Sequence, residues 1–364
     1  MRFRRPIERQ RAAGHIFTLL ISFAATVLVT RLFLELTGYP QIGNEQLHIA
    51  HVLWGGLIVA VGAALPLIFA SRYVYGISAV LSGVGLGLFF DEVGKFLTQN
   101  NDYFFRPAAS VIYVIFLIGV YVYVTVRRGE PDAQVQLHHV LVIMQEVVDA
   151  DLEEHEKAEL RDTLADITRD KSAPHLHALA QTLLDFVQNR ADTIPRHSHP
   201  IVNGWERVRS WLETRILTRQ VTRWLLIAST VILAGVTLID LVSLVRVIGE
   251  PGRMAALVEG WIARGNLTSH QEAVWFAVMI GLNGVVGLAL IVALVHFAMG
   301  RDETAIDFAL AGLLVSITII NVLLFYFQQF VAAGYVAIQF AFIAMLEFYA
   351  NRHLKRHDAL RARS

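Results

Sequence analysis

The chain of 364 residues is 55% apolar and only 17% charged, with a mean hydropathy of +0.51, whereas soluble globular chains carry about 25% charged residues. That balance excludes a soluble enzyme, a disordered chain and a nucleic-acid binder with a basic surface. Lys+Arg and Asp+Glu both number 31, so net charge is silent about partners; the lack of cysteine removes disulfides, thiolate metal sites, Fe–S clusters and cysteine nucleophiles. What remains is an all-α, polytopic membrane protein with membrane lipids around it.

A spanning helix takes about 20 mostly apolar residues. Eight such runs follow one another, at 16–36, 47–69, 73–97, 107–126, 224–247, 273–297, 305–327 and 330–349. The first is longer than a signal-peptide core and has no small-residue cleavage site, so it reads as a retained span. Only Gln328-Gln329 separates the last two, which predicts a tight helical hairpin. Lys and Arg concentrate at Arg2, Arg4, Arg5, Arg9 and Arg11, at Arg127-Arg128, and at Arg352, Lys355, Arg356, Arg361 and Arg363. With eight spans these fall on one side, which the positive-inside rule makes cytoplasmic. The expectation is a plasma (inner) membrane protein with both termini in the cytoplasm. It divides into a first four-span half at 1–128, an insert at 129–222, a second half at 223–350 and a basic tail at 351–364.

The insert is polar and helical in pattern, with helices expected at 134–150, 151–169, 174–190 and 203–218. Leu152, Leu160, Leu164 and Ile167 recur at helical spacing, and Trp205, Trp211 and Trp224 among arginines suit a helix lying at headgroup level. The expectation is a small cytoplasmic helical domain, or one helical hairpin plus an interfacial helix, available to a cytoplasmic protein partner. A parallel duplication of the halves is also suggested. Sliding span two onto span six pairs Gly56 with Gly281 and Gly62 with Gly287; sliding span three onto span seven puts Gly83 on Gly312 and Glu92 on Asn321.

Ionisable side chains within spans cost about 2.5–3.5 kcal/mol each on insertion scales, so they mark where to look. Span one carries Arg31 and Glu35, span two opens with Asn44, Glu45, His48 and His51, and span three ends with Asp91, Glu92 and Lys95; Asp102, Tyr103 and Arg106 follow. Topology gathers them at one membrane face, expected to be the outer one. Glu45, His48 and His51 share a helical face, and His51 lies about 9 Å below Glu45. Gly83, Gly87, Asp91 and Lys95 follow a four-residue spacing, and small residues let helices approach closely in membranes.

Three chemistries fit the cluster. His48 and His51 with Asp91, Glu92 or Glu45 make a two-histidine, one-carboxylate set with open positions, suited to a divalent transition metal, zinc or iron-like. The same residues suit a metal-free proton or substrate site. They also suit a plain ion-pair network, with Arg31 on Glu35 or Glu92 and Lys95 on Asp91. Elsewhere, Asp240 pairs naturally with Arg246, and Asn283, Asn321, Gln328 and Gln339 suit interhelical hydrogen bonds. His138, His139, His175, His177, His197 and His199 read as exposed loop and helix histidines. The acidic run from Asp149 to Glu156 lacks the glycine of a calcium loop.

The stretch Asp91-Glu92-Val93-Gly94-Lys95-Phe96, continuing through Asn101-Asp102-Tyr103-Phe104-Phe105-Arg106-Pro107, resembles a segment of uncharacterised bacterial integral membrane proteins. The resemblance covers spans two to four and implies a bacterial membrane setting but no activity. Intramembrane ceramidase-like hydrolases offer a chemical analogy, although their paired His-x-x-x-His in a late span is lacking here. The leading functional expectation is a metal-dependent hydrolase acting on a lipid or lipid-linked substrate. His48, His51, Asp91 and Glu45 supply ligands, Glu92 or Asp91 acts as general base, and Lys95 or Arg31 steadies developing charge. The alternatives are a proton- or ion-coupled transporter and a sensor or scaffold that signals through the insert.

Overall fold

The computed structural model describes residues 8–9, 11–38, 51–100, 102–103, 105–127, 133–149, 154–169, 174–189, 218–246, 251–263, 267, 270 and 272–354. All regular structure among them is helical. The first half holds α1 (Ala12–Thr37), α2 (His51–Ile68), α3 (Arg72–Asp91), the short α4 (Val93–Leu97) and α5 (Pro107–Arg127). The insert holds α6 (Ala133–Asp149), α7 (Glu154–Arg169) and α8 (Pro174–Asn189). The second half holds α9 (Arg219–Val245), α10 (Pro251–Ala263), α11 (Glu272–Ala298), α12 (Asp302–Val315), α13 (Asn321–Gln328) and α14 (Ala332–Tyr349).

Among the described residues, seven continuous helical segments are long and apolar enough to cross a membrane. The last, Asp302–Leu354, has 53 residues and would reach about 80 Å if straight. It is folded back instead, because the Tyr349 hydroxyl donates to Asp302 Oδ2 at 2.7 Å. The reversal sits at Gln329, whose φ is 49°, in a short 3-10 link over Gln329–Val331. This is the hairpin expected from the two closing apolar runs. The outward faces of the long helices are apolar: Val29, Leu36, Leu53, Trp54, Ile232, Ile239 and Val274 are all exposed. A continuous apolar outer surface suits hydrocarbon as solvent and is foreign to soluble monomers.

Packing in the first half depends on α3, which lies between α1 and α2. Gly55 and Gly85 face each other at the α2–α3 crossing. A Cβ on Gly85 would stand 2.6 Å from the Gly55 carbonyl oxygen, and one on Gly55 would stand 2.7 Å from that of Gly85. On its other side, Gly83 lies against the Leu19 carbonyl and Ser22 of α1. The glycine strip thus draws α1 in just below Asp91, as the spacing predicts. In the second half the central helix is α11, which packs against α9 and α12. Gly287 meets Thr237 and Leu238 of α9, whereas its suggested counterpart Gly62 meets Ser82 of α3. The paired glycines therefore face non-equivalent neighbours, and the two halves pack differently.

Five further hydrogen bonds tie the bundle together. At the seam between halves, Ser110 donates to the Val322 carbonyl at 2.8 Å, and Tyr113 donates to the Ile317 carbonyl at 2.9 Å. That carbonyl lies in a π-helical turn, Ser316–Ile320. Beside it, Asn321 donates to Gln339 at 2.7 Å and Gln339 to Ser316 at 2.9 Å, the interhelical role expected of those amides. At the end of the bundle opposite Asp91, Arg223 donates to Asp302 at 3.0 Å. The insert closes its own core around Val140, Ile143, Leu160, Leu164, Ile167, Ala180 and Val187, and its three helices fall where the periodicity predicts. The fourth expected helix, at 203–218, lies outside the described residues but for Thr218, which caps α9; the side chain of Asp240 is likewise outside them.

Gly85→Leu is expected to lower stability by about 1–3 kcal/mol or more, since a side chain there meets backbone that cannot move aside. Gly281→Leu, where a Cβ meets nothing within 4 Å, is expected to leave the unfolding temperature unchanged. Thermal unfolding of both purified variants in mild detergent, followed by circular dichroism, checks the contrast.

Candidate functional site

The run of apolar residues through 97 predicts one continuous third span, yet α3 stops at Asp91. Glu92 adopts φ −89° and ψ 6°, and α4 begins at Val93. The Asp91 carbonyl accepts from an Arg31 guanidinium nitrogen at 2.7 Å. A carbonyl at a helix C-terminus has no intrahelical donor and attracts a cation, so the arginine fixes where α3 ends. Gly94 then permits a close approach: a Cβ there would lie 2.9 Å from the Asp102 carbonyl oxygen. The 102–103 segment lies on α4 as a result, and Tyr103 returns to Asp91.

Seven side chains from five stretches of chain meet here. Asp91 is 0% exposed and Glu92 1%. Asp91 Oδ1 accepts from Arg31 Nε at 2.5 Å. Its Oδ2 accepts from the Tyr103 hydroxyl at 2.6 Å and stands 3.0 Å from His51 Nε2. Glu92 Oε1 accepts from Lys95 Nζ at 2.6 Å and stands 3.4 Å from His51 Nδ1, while Oε2 accepts from the Val52 amide at 3.2 Å. The Arg31 guanidinium lies between two rings, 4.0 Å from the centroid of Tyr103 and 4.5 Å from that of Phe330. Cation–π contact of this kind gains strength where water is excluded. The two acids are therefore covered, whereas the side chains of His51 and Lys95 are 26% and 24% accessible.

The structure unites Arg31, His51, Asp91, Glu92 and Lys95, as the topology predicts, but pairs them differently. Arg31 bonds Asp91, where Glu35 or Glu92 was expected; the Glu35 side chain is exposed. Lys95 bonds Glu92, where Asp91 was expected. The cause is the break after Asp91. It takes Lys95 off the helical row that Asp91 ends and points the two adjacent acids at different cations. His48 and Glu45 lie outside the described residues. Among the described residues, no group of three or more His, Asp or Glu is placed to hold a metal ion; both Asp91 oxygens are engaged by Arg31, Tyr103 and His51.

Tyr103, which the topology gathers with the others, takes its place on Asp91. One participant goes beyond the expected cluster. Phe330 comes from the turn between the last two helices, and nothing in its sequence context marks it. The neighbouring contact between halves is Arg106 with Glu272 at 3.6 Å. Comparison of the chain with known protein families, with curated proteins and with solved structures gives no match.

Arg31, Lys95, Asp91 and Glu92 balance in charge, as buried ions must. Removing one partner leaves the other buried and unpaired, at a cost of about 3–5 kcal/mol. Arg31→Met and Asp91→Leu are each expected to destabilise the protein by that amount. The double variant, which leaves no unpaired charge at this position, is expected to lose less than either single one. Denaturation of the four proteins in detergent gives the coupling.

Proposed function

We propose that the chain is a multi-pass membrane protein whose Asp91 end faces the extracytoplasmic side. There it hydrolyses a lipid or lipid-linked substrate, with His51 as general base. The observation that carries this is the His51–Asp91 contact. A partly exposed imidazole rests at 3.0 Å on a fully buried carboxylate, which Arg31 and Tyr103 hold in place. A carboxylate that takes one ring N–H fixes the tautomer and leaves the other nitrogen as the base. With Nε2 donating to Asp91, Nδ1 is that base, and it lies on the side of Glu92 and Lys95. A water there passes its proton to Nδ1 as its oxygen attacks the ester carbonyl or the phosphorus. The C–O or P–O bond to the alcohol then breaks, and the imidazolium returns the proton to the departing alkoxide, which leaves the acid and the alcohol as products. The charge that develops on the substrate faces Lys95.

One-sidedness favours a surface reaction over a path across the membrane. Among the described residues of α1, α2, α3 and α5, no Asp, Glu, Lys, Arg or His lies between the Asp91 end and the residues His15 and Arg72 near the other end. Proton relays need such groups in sequence along the route. A metal-assisted form of the same chemistry is the second reading. It is favoured by His51, one of the two expected histidine ligands, which stands within 3.0–3.4 Å of both acids.

Hydrolysis of a panel of lipid esters and phosphoesters by protein purified without a His-tag tests the reading. Wild type is expected to turn over a member of the panel, and His51→Gln to lose at least about 10²-fold, the usual reach of a general base. Metal analysis of the same samples separates the two forms. One metal per chain, lost in His51→Ala, selects the metal-assisted one. Full activity in His51→Gln defeats both.

A further inference from the structure

An apolar groove of about 370 Å³ lies along the outer wall of α2 and α3, lined by Val52, Leu53, Gly56, Leu57, Phe89 and Phe96. That volume falls within the range of small-ligand sites. Two features make it a groove rather than plain lipid-facing surface. Gly56 contributes no side chain, and a Cβ there would meet nothing within 4 Å. The break at Glu92 places Phe96, on α4, at one end of the trough.

That end is continuous with the polar site. Val52 lines the groove, and its amide donates to Glu92 Oε2 at 3.2 Å. The other oxygen of Glu92 holds Lys95 at 2.6 Å, and Lys95 is the chain neighbour of Phe96. The charged side chain that reaches solvent at the groove head is the Lys95 ammonium, 24% accessible, while Asp91 and Glu92 are covered. An apolar trough that ends at an accessible ammonium group is complementary to an acyl chain carrying a phosphate. Contacts of that kind between ammonium and phosphate are charge-assisted.

We propose that this groove is the binding site for an anionic phospholipid, with one acyl chain along Leu53, Gly56, Leu57 and Phe89 and the phosphate against Lys95. This rests on the proposed function only in taking the Asp91 end as the working site; it names the substrate class of that site and requires no hydrolysis.

Gly56→Phe puts a ring at a trough position where a Cβ meets nothing within 4 Å. Gly235→Phe is its control, since Gly235 on α9 is exposed and a Cβ there likewise meets nothing within 4 Å. Native mass spectrometry of the full chain released from detergent, with phosphatidylglycerol or phosphatidylcholine added, counts retained lipid. Wild type and Gly235→Phe are expected to retain phosphatidylglycerol in preference to phosphatidylcholine. Gly56→Phe is expected to bind phosphatidylglycerol about tenfold more weakly, and Lys95→Gln to lose the preference by a similar factor. The proposal is overturned if Gly56→Phe retains phosphatidylglycerol as wild type does, or if wild type does not distinguish the two lipids. It is also overturned if glycerol 3-phosphate displaces the lipid completely, since the ligand would then be a soluble phosphate. Lipid retention with no hydrolysis would sink the proposed reaction and leave the groove standing. Hydrolysis unaffected by Gly56→Phe, with no selective retention, would do the reverse.

Discussion

A carboxylate with no access to water is the constraint on which the first half of this protein turns. Asp91 sits at the end of α3 with 0% exposure, and an isolated ion there would be prohibitively costly. Arg31 removes the cost twice over. It donates to the side chain of Asp91 and to its main-chain carbonyl, so one residue neutralises the acid and also ends the helix. From that ending follow the separate direction of Glu92, the short α4, the position of Lys95 and the return of Tyr103. Aromatic rings then close over the guanidinium, one of them supplied by the second half.

Burial and exposure within the cluster divide the labour. The acids are covered and locked, while the imidazole and the ammonium remain reachable. Rigid support beneath and adjustable groups above is what a working site needs, because orientation is worth little if the orienting groups can themselves reorganise. The close glycine crossings below serve the same end. They let three helices meet so tightly that the polar residues at their tips cannot avoid one another.

Much of this was legible in the residues, for reasons that can be named. Hydrophobic run length marks apolar helices directly, and the turn at Gln328-Gln329 was visible as the one adjacent pair of polar side chains in a long apolar stretch. The insert's helices followed from Leu160, Leu164 and Ile167 recurring at helical spacing, and all three are buried in its core. Parity of the helices also brought Arg31, His51 and Asp91 to one end. The pairing was not legible. Nothing local to Asp91-Glu92-Val93 announces a helix end, because the group that imposes it is an arginine 60 positions earlier. Phe330 illustrates the same limit: its role depends on where a distant turn lands. The glycine pairs that hint at duplication misled for a related reason, since a glycine records that something packs closely but not which helix does so.

The distance along the chain between Arg31 and Asp91 also bears on how the protein is made. At about 5–20 residues per second, the 60 intervening residues take roughly 3–12 s to synthesise. Throughout that interval the first apolar helix carries a guanidinium whose counter-ion does not yet exist. An arginine without its partner costs about 2.5–3.5 kcal/mol within a span and is relieved by reaching toward the interface, so the first helix is best accommodated with its guanidinium at the membrane surface until the third helix brings Asp91 to it.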